Sequence, residues 1–379
     1  VLMQSNEHGE AEAALRRAVS AGPESPAAHN YLGVVLLRTG RYGEAVISFE
    51  RALALNPEDD TVHNNFGYAR LEHGEVEAAH IHFRRAIEIN PKNAMAHNNL
   101  GNALRALGDM AASMASYRCA VEIDPGNPMS KFNLGRALVD AGQPEAALVH
   151  LRAAVRLAPR AGAAWQWLAD VLAQMRFDAC DAGVEGEFIE CLSRPDIEPA
   201  YLAQAVASLL RADPSFHVLL APSDCDDARA LRLDDAVLRQ LARPLFLLLL
   251  ENAVLCDPDF ERLVARVRRA AILAWSARSP LWDAARGHIV LREVLGAVAH
   301  QCFLTEYLHE EQDDESIIVE QLQAGVEAVL AGSGPVNQAQ IALFACYRPL
   351  GTLKGAGTLP ASHSSIGGRL VLRQAREPA

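Results

Sequence analysis

The side chains best suited to chemistry form a polar triplet that occurs twice in the chain. The triplet HNN occupies positions 63–65 and, 34 residues later, positions 97–99, each time ahead of an apolar residue and a glycine. An imidazole can move a proton or bind a metal, and an amide both donates and accepts hydrogen bonds. A catalytic site needs one set of such groups, whereas a stacked architecture needs the same groups in every layer. The recurrence therefore indicates architecture first.

Two pairs of residues have the spacing of a helical carboxylate and imidazole ligand set. Glu77 precedes His80 by three positions, and Glu306 precedes His309 in the same way. Such pairs can hold a di-iron site when several helices converge on it. The alternative, an exposed or salt-bridged helix face, is favoured here because Glu77 and His80 belong to a repeated helix with its own packing role. We predict no metal site.

The remaining nucleophile candidate and the cofactor loops are also weak. Cys302 lies two residues after His300 and so points to another face of a helix, which favours a buried cysteine over a nucleophile and base pair. The glycine-rich stretches GTLKGAG and SIGG follow no strand and open no helix, unlike a nucleotide-binding turn. The sequence therefore predicts no catalytic residue and no cofactor.

The bulk composition narrows the class of protein. The chain has 379 residues, a formal charge of -12 and three lysines, a balance that disfavours nucleic-acid binding. Its seven cysteines contain no CxxC pair, so we expect neither a zinc site nor a disulfide framework but a reducing, cytoplasmic location. The longest apolar run, residues 245–255, is shorter than the roughly 20 residues of a membrane span. It predicts a buried helix.

A period of 34 residues organises the first half of the chain. One glycine column contains Gly33, Gly67, Gly101 and Gly135, and a second contains Gly40, Gly74, Gly108 and Gly142. The period defines four full units, at 26–59, 60–93, 94–127 and 128–161. A truncated unit precedes them, and a final first helix covers 162–175, so we predict a repeat domain over 1–175.

Each repeated position has a physical role. The first glycine lies inside a helix, where it predicts close approach of a neighbouring helix, and the second lies where a left-handed residue can end that helix. The second helix carries small and aromatic residues at helical spacing. These are Ala45, Ala79, Ser113 and Ala147, then Phe49, Phe83, Tyr117 and Leu151, then Ala52, Ala86, Ala120 and Ala154. A proline, Pro57, Pro91, Pro125 or Pro159, ends each unit.

This pattern resembles the tetratricopeptide repeat (TPR) family. The resemblance implies an all-α fold in which antiparallel helix pairs stack into a right-handed superhelix, an α-solenoid. It also implies a concave groove, lined mainly by first helices, that binds a peptide or protein partner. Stacking itself follows from the periodicity, since residues 34 apart stand over one another in successive layers.

Two polar columns on the first helices are the predicted binding residues. One contains Tyr31, Asn65, Asn99, Asn133 and Trp167, and the column before it contains Asn30, Asn64 and Asn98. Tyr68, Asn102, Arg136 and Asp170 stand three residues further on. The first column is similar to the asparagine ladder of the O-linked N-acetylglucosamine transferases, which implies contact with peptide main chain. The alternative is asparagines that are solvated or bonded to a neighbouring helix. The histidine column at 29, 63 and 97 is expected to pack between layers.

The second half is also predicted to be helical. After a junction at 176–195, apolar residues recur at helical spacing through 196–379, with an irregular tail in which 369–372 alone reads as a strand. Phrases such as ENAVLCDPDFERLVARVRRA resemble a helical region found between a TPR array and an S-adenosylmethionine-dependent methyltransferase domain. The resemblance implies a catalytic domain beyond Ala379. Two functions remain open: a protein-binding module, or the substrate-recruiting front part of a methyltransferase, less favourably of a glycosyltransferase.

Overall fold

The protein folds into helices throughout its described length. The computed structural model describes residues 2–179, 181–221, 231–254, 256–279, 282, 288–304, 313–331, 338–349 and 352–353. Within these ranges the regular elements are helices, and none is a strand. The chain divides into two compact units, 1–168 and 169–379. The predicted strand at 369–372 and the end of the predicted tail lie outside the described residues.

The first unit is a row of helix pairs. A single helix, α1 (Leu2–Ala21), precedes the pairs α2 (Pro26–Arg38) and α3 (Tyr42–Leu55), α4 (Asp60–Glu72) and α5 (Val76–Ile89), α6 (Ala94–Ala106) and α7 (Met110–Ile123), and α8 (Pro128–Asp140) and α9 (Pro144–Leu157). Helix α10 (Gly162–Gln174) follows. Each first helix packs on its own second helix, and each second helix also packs on the first helix of the next pair. The stacking predicted from the period is confirmed, and so is the all-α solenoid that the family resemblance implies.

The residues that cap the first helices and form the turns after them recur once per repeat. Each full first helix begins after a side chain that accepts hydrogen bonds from its first turn: Ser25, Asp59, Asn93 and Asn127. Two residues after each of these four helices stands a glycine whose φ lies between +71° and +85°, a left-handed conformation that costs other residues energy. The predicted role of the second glycine column is therefore confirmed.

The first glycine column creates room for an aromatic or leucine side chain of the paired helix. A Cβ atom built on Gly33 would stand 2.7 Å from the Phe49 ring, and one on Gly101 would stand 2.6 Å from the Tyr117 ring. Both rings are fully buried. The predicted close approach is confirmed, and it explains why a helix interior tolerates a residue that costs about 1 kcal/mol against alanine.

The second unit contains shorter helices without a common period. They are α11 (Ala182–Ser193), a 3-10 turn (Pro199–Leu202), α12 (Ala203–Ala212), α13 (Pro214–Leu220), α14 (Asp235–Leu241), α15 (Pro244–Asn252), α16 (Pro258–Ser276), α17 (His288–Leu304), α18 (Asp313–Ala331) and α19 (Gln338–Ala345). Phe216, Phe246 and Phe260 form an aromatic core with centroid distances of 5.0 to 6.2 Å. The apolar run at 245–255 contributes the buried helix α15, as predicted.

Two local features of this unit differ from a plain reading of its sequence. The segment predicted as a junction contains α11, which buries Phe188 and Cys191 and is capped by Asp181. Arg243 donates to Glu185 at 2.7 Å and also pairs with Asp213, so one guanidinium ties α11 to the start of α13.

No helix among the described residues is long and apolar enough to cross a membrane.

Candidate peptide-binding groove

The two asparagine columns of the first helices are joined to each other between layers. The Nδ2 atom of Asn65 donates to Oδ1 of Asn30 at 3.1 Å, and Asn99 donates to Asn64 at 3.0 Å. The next layer repeats this bond, from Asn133 to Oδ1 of Asn98 at 3.0 Å. The second asparagine of each layer thus contacts the first asparagine of the layer before it. A bond between asparagines of neighbouring helices is the arrangement that the sequence analysis gave as the alternative to ligand contact.

The hydrogen-bonding capacity left for a ligand differs along the column. Asn99 and Asn133 are buried, with 9% and 5% of their surfaces exposed, and Asn99 also accepts from Asn98 at 3.4 Å. Asn65 is half-buried, and its Oδ1 atom has no partner among the described residues. An amide offers two donors and a carbonyl oxygen with two lone pairs. Asn65 is therefore the column member best placed to bond a ligand.

The remaining predicted residues lie at different depths on the same helices. Tyr31 is 61% exposed and Tyr68 is 43% exposed, whereas Trp167 is half-buried. Partial burial, followed by the nearby Glu72 carboxylate, raises the pKa of Tyr68. The phenol therefore stays protonated, as a neutral hydrogen-bond donor, well beyond neutral pH.

Two further members of this face are engaged by their own repeat units. Asn102 accepts a hydrogen bond from the hydroxyl of Tyr117 at 2.7 Å, which occupies its Oδ1 atom. The guanidinium of Arg136 lies 5.6 Å from the centroid of the Phe132 ring, one turn earlier on α8. Asp170 follows in α10, where partial burial raises its pKa. Asn102 and Arg136 therefore contact aromatic residues of their own repeat units.

A cavity of about 530 Å³ opens between three successive first helices, α2, α4 and α6. Helix α2 contributes Val34, Leu37 and Arg38, helix α4 contributes Asn64, Asn65, Tyr68 and Glu72, and α6 contributes Met95 and Asn99. Aliphatic and thioether groups form one part of this lining, and amides form another. Arg38 and Glu72 supply one charge of each sign. The volume and the mixed lining suit an apolar side chain flanked by polar main chain.

Sequence reasoning found the amides and Tyr68 but missed the apolar part of this cavity. Val34 stands in the same column as Tyr68, one layer earlier, and Met95 stands in a column that repeats as Met129. Met95 is 60% exposed, which is unusual for a thioether side chain and would itself point to a surface with a role. Comparing every column, rather than the asparagine columns alone, would have identified both residues.

The histidine column joins each layer to the turn before it. Nε2 of His29, His63 and His97 lies 3.0 to 3.1 Å from the carbonyl oxygen of Pro23, Pro57 and Pro91, respectively. Trp165 makes the equivalent bond to Pro159 at 2.9 Å. Because a carbonyl only accepts, each Nε2 carries a proton. The expected packing role is confirmed, and each histidine also makes a hydrogen bond to the proline carbonyl of the turn before its helix.

One of these histidines has a second histidine beside it. Nδ1 of His63 lies 3.1 Å from Nδ1 of His82, so His82 donates and His63 accepts when both rings are neutral. Burial, together with His63 and Arg70, lowers the pKa of His82 to about 4. Burial also lowers the pKa of His63. Both rings therefore favour the neutral form, and protonation would disrupt the hydrogen bond between them.

The second unit has a separate cavity of about 820 Å³. The end of α10, α12, Val254, Cys256 and Asp257 line it, with alanines forming much of the wall and Arg176 and Arg211 among the polar residues. Arg211 is engaged by Asp257 and Asp259. Within the described ranges, no three His, Cys, Asp or Glu side chains converge as a metal site. Glu306 and His309 lie outside those ranges.

Comparisons with known proteins identify the repeat. The tetratricopeptide repeat family model matches residues 1–60, 64–128 and 132–176. No curated protein gives a significant match. Similar solved structures include MamA from Desulfovibrio magneticus RS-1, with 21% identity over 42% of this chain and 90% of that one, at a TM-score of 0.37.

Two other solved structures are similar to a comparable degree. YrrB, described as a TPR protein with an unusual peptide-binding site, is 16% identical over 53% of this chain and 93% of its own, at a TM-score of 0.37. A thermophilic TPR protein from Thermus thermophilus, TTC0263, is 20% identical over 51% of this chain and 96% of its own, at a TM-score of 0.37. The repeat match and the helix pairs carry the conclusion: residues 1–176 consist of tetratricopeptide repeats.

Proposed function

We propose that the TPR region is a protein-interaction module whose first-helix face binds an extended peptide or protein segment. The observation that carries this proposal is the cavity between α2, α4 and α6. It crosses three layers, so a bound segment would run along the stack rather than along one helix. A segment in extended conformation presents main-chain groups at each layer and a side chain to the apolar part of the cavity.

The chemistry of the lining supports a largely uncharged segment. Val34, Leu37 and Met95 offer apolar contact, and the exposed ring of Tyr68 adds a rigid amphipathic surface of the type enriched in binding sites. The free Oδ1 atom of Asn65 would accept a main-chain N–H. Asn99 and Asn133 would act indirectly, by holding the neighbouring first helices in register. The predicted ligand contact is thus assigned chiefly to Asn65.

The test uses a peptide selected from a displayed library of random 15-residue sequences against the intact chain, with affinity measured by calorimetry. Asn65→Ala removes the proposed acceptor and also the bond to Asn30. Asn30→Ala removes the same interlayer bond but leaves the Asn65 side chain in place. This control is matched because Asn30 is only 6% exposed. We expect Asn65→Ala to weaken binding about tenfold, or about 1.4 kcal/mol, and Asn30→Ala to have a much smaller effect.

Tyr68→Ala tests the apolar part of the same site. The ring is 43% exposed, so its removal should leave the fold intact while lowering affinity by about tenfold or more. Thermal unfolding of each variant separates lost binding from lost stability. Equal binding by Asn65→Ala and Asn30→Ala, together with unchanged binding by Tyr68→Ala, would contradict the proposal.

The alternative function, recruitment of substrates to a methyltransferase or glycosyltransferase, stays a prediction. It depends on the resemblance of the second half to a methyltransferase-associated region, and the matched family model ends at residue 176. No specific feature of the described residues favours that alternative over a stand-alone binding module.

A further inference from the structure

The second helices carry an exposed aliphatic residue at the same register position in three of four layers. We name Ile47, Ile81 and Val149 the aliphatic column; they lie on α3, α5 and α9, and α7 has Ala115 at this position. Their exposed fractions are 66%, 66% and 64%. The proposed peptide cavity is lined by first helices alone, so this column belongs to another face of the repeat region.

Helix stability gives no reason for these residues. Isoleucine and valine lose side-chain freedom in a helix and rank below glutamate, lysine or alanine as helix formers. A side chain that stays two-thirds exposed recovers little of that cost through burial. A single exposed aliphatic residue is ordinary, but recurrence at one position in α3, α5 and α9 indicates a surface that becomes covered.

Charged residues flank the column in a fixed order on α5 and α9. Four positions before the aliphatic residue stand Glu77 in α5 and Glu145 in α9; three positions after it stand Arg84 and Arg152. These spacings place all three groups on one helix face. Glu77, Arg84 and Glu145 are exposed and form no ion pair with the described residues. On α5 and α9 the face therefore has an acidic edge, an aliphatic centre and a basic edge, whereas α3 has Gly43 and Glu50 at the two edge positions.

We propose that this face binds a second copy of the same chain. A twofold axis along the aliphatic column would place the acidic edges of α5 and α9 opposite the partner's basic edges on the same two helices. Helix α5 would then meet α5 of the partner, and α9 would meet α9. A twofold axis across the column would instead oppose glutamate to glutamate. The pattern is thus self-complementary in one orientation, which is the requirement of an isologous dimer.

The arrangement distinguishes a second copy from other partners. A nucleic acid or an anionic membrane would require a basic face, whereas this face alternates in sign around an apolar centre. Helix α7, between α5 and α9, keeps part of the scheme, with Ala115 at the centre and Arg118 at the basic edge. Burial of the aliphatic column would supply affinity, and the charged edges would fix orientation.

A charge-swap experiment tests the proposal on the full 379-residue chain. Variant one, Glu77→Arg with Glu145→Arg, makes both edges basic, and variant two, Arg84→Glu with Arg152→Glu, makes both edges acidic. In sedimentation velocity over a concentration series, we expect the unmodified chain to dimerise. Each variant alone should dissociate at a concentration at least about tenfold higher, and an equimolar mixture should form a heterodimer with affinity restored to within about threefold.

Apolar variants provide an independent measurement. Ile81→Glu should weaken the dimer at least about tenfold, whereas Val218→Glu, a matched change at a 70% exposed position of the second unit, should leave it unchanged. A chain that stays monomeric up to several hundred micromolar would overturn the proposal, even if it captures another protein. A dimer that survives both swap variants and Ile81→Glu would also overturn it.

Discussion

Replacing Gly33 by alanine should destabilise the protein, although alanine is the better helix former. The added Cβ atom would lie 2.7, 2.8 and 2.9 Å from three atoms of the Phe49 ring, against an ordinary carbon contact of about 3.5 to 4.0 Å. The ring is fully buried and must shift by several tenths of an ångström. Overpacking of this kind costs about 1–3 kcal/mol, and helix propensity returns about 1 kcal/mol, so we expect a net loss of up to about 2 kcal/mol.

The same repeat contains a matched control. Gly43 lies in α3, has no atom within 4 Å of a built Cβ, and does not adopt a positive φ. Gly43→Ala should therefore stabilise the protein by about 0.4–1 kcal/mol. Urea unfolding monitored by circular dichroism gives both free energies of unfolding. If the first unit unfolds separately from the second, its own transition is the one to compare.

A double-mutant cycle identifies the cause. On a Phe49→Ala background, where the ring is absent, Gly33→Ala should become neutral or stabilising, because only the helix propensity remains. A Gly33→Ala change that stabilises the unmodified protein as much as Gly43→Ala would refute the packing argument. So would an equal loss of stability with and without the Phe49 ring.

Three further predictions follow from buried polar groups. The pKa of His82 falls from 6.5 to about 4 on folding, so in this pH range the unfolded chain binds a proton that the folded chain does not. The free energy of unfolding should therefore be highest above pH 6.5 and fall by about 1–2 kcal/mol as the pH falls towards 4. His82→Phe should flatten this dependence in a series of thermal melts. Asn133→Ala should cost about 1–3 kcal/mol in urea unfolding because it leaves the buried Oδ1 atom of Asn98 without its donor; a loss below about 0.5 kcal/mol would contradict an interlayer role. Arg243→Leu should cost about 3–5 kcal/mol because it leaves two half-buried carboxylates unpaired, and much of that loss should disappear when both carboxylates are also replaced by amides.

The repeat could be predicted because each layer solves the same packing problem with the same residues. Gly33 recurs in every layer because a ring or leucine side chain occupies the space above it, and Gly40 recurs because every turn needs a positive φ. These constraints are local to a helix pair and its turn, so they appear directly as a period. The fold of the first unit therefore follows from the sequence alone.

The pairing of asparagines between layers could not be predicted from the same period. Residues 34 apart share a column, but the bonds join residues 35 apart, such as Asn65 to Asn30. Which columns meet depends on the offset and tilt between successive first helices, and these are set by side-chain packing over the whole layer. The sequence therefore identified the amides without showing how much of their bonding capacity is already used.

The sequence of the second half predicted helices but not their arrangement, because no period relates one helix to the next. Pro244 divides the long apolar segment into α14 and α15, as proline is expected to do, and Asp257 caps α16. Helix α11 was missed because Gly183 and Gly186 weaken its pattern. Its position is stabilised instead by the buried Phe188 ring, which packs against Phe177, and by packing of the helix on α15, which is distant in sequence.

The most direct test of the proposed function observes the cavity without altering it. Methyl resonances of labelled methionines can be followed while a selected peptide is added to the intact chain. Met95 lines the cavity on α6, whereas Met114 lies on the second helix α7. We predict a saturable shift of the Met95 methyl resonance, with a midpoint equal to the calorimetric Kd and no matching shift of Met114. A peptide that binds with that Kd while the Met95 resonance stays unmoved would contradict the proposal.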